Sequence, residues 1–264
     1  MDPFWYKLAL SFGVGGLWIT LTTVAAERFG SRIGGFLGGV PSTIVVALLF
    51  IGWSDGIAMA RATTTAFPLA FSVNALYLIT YAALARHGAF VAMAGAVAAW
   101  AVGQAAVLSL PRIPFGVSLV AVAPALVAGY LILEKGLGVR AAGGYQVRYT
   151  WGAIVWRALL AGSIIALTVG MARVGGPVVG AAMGAFPAVF TSTLLIASRQ
   201  AGASFARGMT TSMLVSALVN VVMYVVAFRF WSGHLGLFAS TMASLAVSLV
   251  TVVLTLQFVR RYVS

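Results

Sequence analysis

The sequence predicts an all-α polytopic membrane protein of about nine transmembrane helices, arranged as two inverted four-helix repeats joined by a linker helix. Three observations lead there. Of the 264 residues, 62% are hydrophobic and only 8% charged, with a mean hydropathy of +1.06, whereas a soluble domain carries roughly a quarter charged residues. The apolar residues fall into runs long enough for a hydrocarbon core of ~30 Å. The chain also matches itself, without a gap, at an offset of 146 residues.

The runs, cut where charges cluster, are 4–26, 33–53, 57–85, 89–110, 115–133, 151–172, 177–198, 203–228 and 235–258. The first is read as a span rather than a cleaved leader, because Met1–Lys7 lacks a basic flank and its counterpart recurs inside the chain. The fifth contains Pro124 but no charge between Arg112 and Glu134, and transmembrane helices tolerate such prolines. These runs divide the chain into a first repeat over 1–112, a linker helix and loop over 113–150, and a second repeat over 151–264.

Charges gather at the run ends, since a charge at mid-bilayer is costly. One side receives Arg28, Arg32, Arg86, Lys135, Arg140, Arg148, Arg157, Arg199, Arg207, Arg260 and Arg261, and the other Lys7, Arg61, Arg112, Arg173 and Arg229. This imbalance of eleven to five places the C-terminus in the cytoplasm and, with nine spans, the N-terminus outside, in a cell (inner or plasma) membrane. The net charge of +12 is then spent on orientation and lipid headgroups, so nucleic acid is not an expected partner. The expected partners are the bilayer and a small-molecule substrate, with a homodimer left open.

In the self-match, Gly34, Gly38 and Pro41 lie over Gly180, Gly184 and Pro187, while Arg61, Thr64, Thr65 and Asn74 lie over Arg207, Thr210, Thr211 and Asn220. Upstream, Trp5, Gly16 and Ile19 fall on Trp151, Gly162 and Ile165. Bias toward Ala, Val, Leu and Gly does not place Pro, Arg, Asn and Trp in one register, so the match is read as a duplication. One span between two four-span units inverts the second unit, the layout of many secondary transporters.

The four-span unit resembles the GlpM family of small bacterial inner-membrane proteins, through Ile33-Gly34-Gly35, Pro41-Ser42, Gly56-Ile57 and Arg61-Ala62-Thr63. The resemblance covers roughly residues 5–110 and the matching part of 151–258. It implies an architecture and an inner-membrane location rather than a reaction. The chain departs from the family in its doubled length and added central span. The pattern of four, one and four spans is also similar to two-domain fluoride channels, whose ion-lining motifs are absent here.

Candidate substrate-binding residues follow from the repeat. Glycines at Gly30, Gly34, Gly38 and at Gly176, Gly180, Gly184 line one helix face and allow close packing. Pro41 and Pro187 then interrupt their helices near mid-membrane, followed by Ser42 and Thr43 and by Thr191, Ser192 and Thr193. Arg61 with Thr64 and Thr65, and Arg207 with Thr210 and Thr211, open the third and eighth spans. Asn74 and Asn220 lie ~20 Å further along, where a buried amide needs partners, and are expected to face the interior near a pseudo-two-fold axis. The plain alternative for each is packing: a tight crossing at the glycines, a clamp at the asparagines, headgroup anchors at the arginines.

No carboxylate falls inside a run, which disfavours an intramembrane proton acceptor or a bare divalent cation site. With no cysteine, two histidines and four acids, no metal, cofactor or catalytic set is expected. His87 and His234 fall at run ends. The leading expectation is therefore a permease for a small anionic, zwitterionic or polar metabolite. A passive channel and a non-transporting accessory protein of envelope biogenesis remain beside it.

Overall fold

The computed structural model describes residues 3–27, 40–111, 113–140 and 150–262. Among these residues the structure is all helix. The helices are α1 (Pro3–Glu27), α2 (Ser42–Asp55), α3 (Ile57–Thr63), α4 (Phe67–Ser72), α5 (Asn74–Leu84), α6 (Ala89–Ser109), α7 (Phe115–Val120), α8 (Val122–Leu131), α9 (Trp151–Gly184), α10 (Ala188–Ala201), α11 (Ala203–Gly208), α12 (Thr210–Trp231) and α13 (Leu237–Tyr262). Among the described residues seven helical stretches are long and apolar enough to cross a bilayer, with α2 a shorter apolar helix beside them. The chain is thus a multi-pass α-helical membrane protein. Many large apolar side chains are exposed, among them Trp151, Phe90 and Val102, as a lipid-facing surface requires.

The breaks in these helices have local causes. Pro41 and Pro187 cannot donate to a preceding turn, and each stands just before a 14-residue helix with nearly the same backbone angles, φ −74° and ψ 40° against φ −80° and ψ 54°. Gly56 and Gly202 end those two helices at φ 92°, ψ 154° and φ 87°, ψ 161°, a region open essentially to glycine alone. Each pair is separated by 146 positions, so backbone geometry repeats with the sequence. Equivalent helices also share depth: α4–α5 and α12 form the buried centre, while α6 and α13 lie outside.

Gly176 corrects one expectation. It is not part of a glycine face within a helix, because at φ 81° and ψ −176° it breaks α9. The chain folds back there: a Cβ on Gly180 would meet Ala172 at 2.6 Å, and one on Gly184 would meet Thr168 at 3.1 Å. The close packing expected of Gly180 and Gly184 is real, but it closes a hairpin within the 51-residue apolar stretch Trp151–Ala201. Gly30, Gly34 and Gly38 lie outside the described residues.

Contacts sort the charged residues onto two ends. At one, Lys7 donates to the Trp53 carbonyl at 2.6 Å, Arg173 lies 3.9 Å from Asp55 and over the Phe4 ring, and Arg229 lies over Phe115. At the other, Arg207 donates to the carbonyls of Ala82 and Leu137. The fifth run therefore crosses the molecule, from Phe115 beside Arg229 to Leu137 beside Arg207.

The first helices of the two halves, α1 and α9, pack closely and run antiparallel, with Phe4 beside Arg173 and Gly16 beside Ala158. A Cβ on Gly16 would lie 2.5 Å from the Ala158 carbonyl oxygen, and one on Gly162 would lie 2.5 Å from that of Phe12. Phe12 and Ala158, like Gly16 and Gly162, are 146 positions apart. The contact is reciprocal in the way a two-fold interface is.

Candidate functional site

The two proline breaks, far apart in sequence, meet. Pro41 and Pro187 line one central cavity with Thr43, Ile44, Val189 and Phe190, walled by Phe67, Phe71 and Phe186. Its volume of about 30 Å³ holds about one water molecule. The first backbone bonds of α2 and α10 are Val45 N–H to Pro41 O and Thr191 N–H to Pro187 O. The amides of Thr43, Ile44, Val189 and Phe190 precede those bonds, so they have no acceptor within their helices. Two helix N-termini, each with its partial positive charge, thus border the same small space.

Asn74 lies next to it. Its side-chain amide donates to the Ala185 carbonyl at 3.1 Å, holding the turn before Pro187, while its Oδ1 is buried without a partner among the described residues. Asn220 does something else. It donates to Ser216 at 3.0 Å and accepts from Thr255 at 3.0 Å, and its carbonyl accepts from Ser248, which ties α12 to α13. The two asparagines are buried as expected, but no hydrogen bond joins them. One supports the break and the other is a helix clamp.

From the centre a polar seam runs along α5. Tyr77 bonds Thr191 at 2.9 Å and Met93 at 3.0 Å, and one turn on Tyr81 bonds Ser198. Asn74, Tyr77 and Tyr81 share a helix face by their three-and-four spacing. The hydroxyls after the prolines are therefore divided: Thr43 lines the cavity, Thr191 faces Tyr77, Thr193 faces Arg157, and Ser42 and Ser192 are buried, Ser192 donating to Val189 O.

The span-opening arginines are engaged across the halves. Arg61 donates to Arg229 O at 3.3 Å, and Arg207 donates to Ala82 O at 3.0 Å. Position 229 lies one residue from the counterpart of 82 in the second half, so the two bonds are near mirror copies. Arg229 returns the contact, donating to Arg61 O, Thr64 and Thr65 at 3.2, 3.1 and 3.0 Å. Thr64 and Thr210 donate to the carbonyls of Arg61 and Arg207, and Thr211 is buried with its hydroxyl unpartnered among the described residues. A cavity of about 560 Å³ bordered by Thr65 and Gly176 opens at one end, and one of about 410 Å³ bordered by Arg86 and Arg207 at the other.

Arg157 departs from its sequence reading. Placed among the end charges, it is instead 1% exposed and donates to Thr193 at 3.3 Å. The signal was present: it stands six residues inside the run that opens at Trp151, ~9 Å along the axis. Its counterpart in the first half, Ser11, donates to Leu8 O at 2.7 Å. Gln104, which no repeat match marks, donates to Ala70 O at 2.8 Å and satisfies a carbonyl freed where α4 gives way to α5. No group of three or more His, Asp or Glu that could hold a metal occurs among the described residues. No protein-family model, curated protein or solved structure matches this chain.

Proposed function

We propose that the chain is an inverted-repeat transporter of nine spans that moves a small anionic or polar solute through the cavity between Pro41 and Pro187. The observation that carries this reading is the convergence of two interrupted helices, one from each half, with their N-terminal turns bordering one mid-molecule cavity. Broken helices at equivalent places in inverted halves form substrate sites in this class of fold, and helix N-termini favour negative groups. The antiparallel, reciprocal packing of α1 and α9 supports the inversion. The likeness of each half to the four-helix GlpM unit belongs to the same reading.

At about 30 Å³ the cavity is closed to a metabolite, so transport by this route requires the halves to rock about it. Arg229 on Thr64 and Thr65 closes one side, and Arg207 on Ala82 and Leu137 ties the halves at the other. A passive channel is the second reading, favoured by the wall of Phe67, Phe71, Phe186 and Phe190, since apolar constrictions can gate ion flow by dewetting.

Proteoliposomes loaded with a panel of small anions and neutral polar solutes test both. A carrier gives saturable uptake and counterflow, reduced about tenfold or more by Asn74→Leu in a folded protein; a channel gives conductance without counterflow. If no solute moves, or Asn74→Leu leaves flux unchanged, the site is wrong.

A further inference from the structure

We infer that the cavity of about 410 Å³ bordered by Arg86, Ser204 and Arg207 is a phosphate-binding site at the membrane surface. It lies where the end of α5, the turn after α8 and the start of α11 meet, and small residues, Ala82, Ala83 and Gly136, leave the space. Arg207 is held rigidly: its Nε and one terminal nitrogen are bound to the carbonyls of Ala82 and Leu137. That leaves the other terminal nitrogen for an outside acceptor. Arg86 is exposed, and its Nε donates to His87 at 3.0 Å. Among the described residues neither guanidinium has a carboxylate partner.

Two guanidinium groups from two elements, with the Ser204 hydroxyl one turn from Arg207 on α11, suit a tetrahedral anion with several oxygens better than a carboxylate with two. The size falls within the range of small-molecule sites. Basic pockets between helices at headgroup depth take lipid phosphates, so the phosphate belongs either to an anionic lipid or to a free solute. The equivalent place at the opposite end is not such a site. There Ser232 stands in place of Arg86 and donates to Arg229 O, and Arg61 and Arg229 are turned onto each other's carbonyls. The inference needs only this cavity and does not depend on the transporter reading.

The test uses the full chain, comparing wild type with Arg86→Gln, an exposed position whose loss leaves both carbonyl bonds of Arg207 in place, and with Arg140→Gln as a control. Thermal unfolding in neutral detergent is followed against inorganic phosphate. It is repeated in nanodiscs of phosphatidylcholine with and without phosphatidylglycerol, with native mass spectrometry to count bound lipid. Wild type and Arg140→Gln are expected to show a saturable rise in midpoint, with half-saturation about tenfold weaker in Arg86→Gln. A response to phosphate assigns a free solute, and a response to phosphatidylglycerol alone assigns a lipid. No response to either, or equal responses in all three proteins, overturns the site.

Discussion

Asn74 and Asn220 are equivalent in sequence and different in work. Asn220 is saturated by Ser216 and Thr255, so Asn220→Leu removes two bonds between and within α12 and α13. At about 0.6 kcal/mol per bond in a membrane bundle, it is expected to lower thermal stability by about 1 kcal/mol. Asn74→Leu removes one bond, to Ala185 O, and is expected to cost less stability yet more flux. Parallel unfolding and uptake assays on the two variants check this crossover. That both amides are buried was legible in the sequence, because a polar side chain well inside an apolar run has to turn inward. Their partners depended on what faces them after folding: Ser248 and Thr255 for one, the Ala185 turn for the other. The burial of Arg157 is not legible in the same way, because a lone arginine near the start of an apolar run reads as an end charge until its partner Thr193 is known.

Among the elements, the repeated breaks carry the most information. Gly56 and Gly202 hold φ near +90°, and a Cβ at either would meet nothing within 4 Å. Alanine there is strained by backbone alone, so Gly56→Ala and Gly202→Ala should each cost about 1–3 kcal/mol. Gly16 and Gly162 differ in cause. Their added Cβ atoms would meet backbone oxygens at 2.5 Å, so Gly16→Ala and Gly162→Ala must push α1 from α9, at about 1–3 kcal/mol. Because the contact is reciprocal, the two losses should agree, and the double variant should fall short of their sum. Unfolding of the four single variants and the double variant checks both. The proline breaks and the pair Gly16 and Gly162 were legible as a match at one offset. The hairpin at Gly176 was not, since a glycine every fourth residue reads as one helix face until the backbone angle at Gly176 is known.

For the whole molecule, the separation of Arg61 and Arg229 from Arg207 and the apolar stretch between them were legible in the sequence, because both rest on the cost of burying charge in lipid. The closed centre was not, since its dimensions are set by Phe67, Phe71, Phe186 and Phe190, which periodicity alone marks only as core. Arg229→Gln, which weakens the ties to Thr64 and Thr65 while sparing the other end, should favour opening at the Lys7 end, read as faster labelling of a cysteine placed at Thr65. The chain contains no cysteine, so the most direct measurement is thiol labelling of Thr43→Cys, which lines the central cavity. In sealed vesicles a small, charged, membrane-impermeant reagent is added to one face at a time. A site visited alternately from both sides predicts reaction from either face at a measurable rate, slowed by transported solute. A protein whose centre is only packing would leave Thr43→Cys unreactive from both faces, and that result would contradict the account.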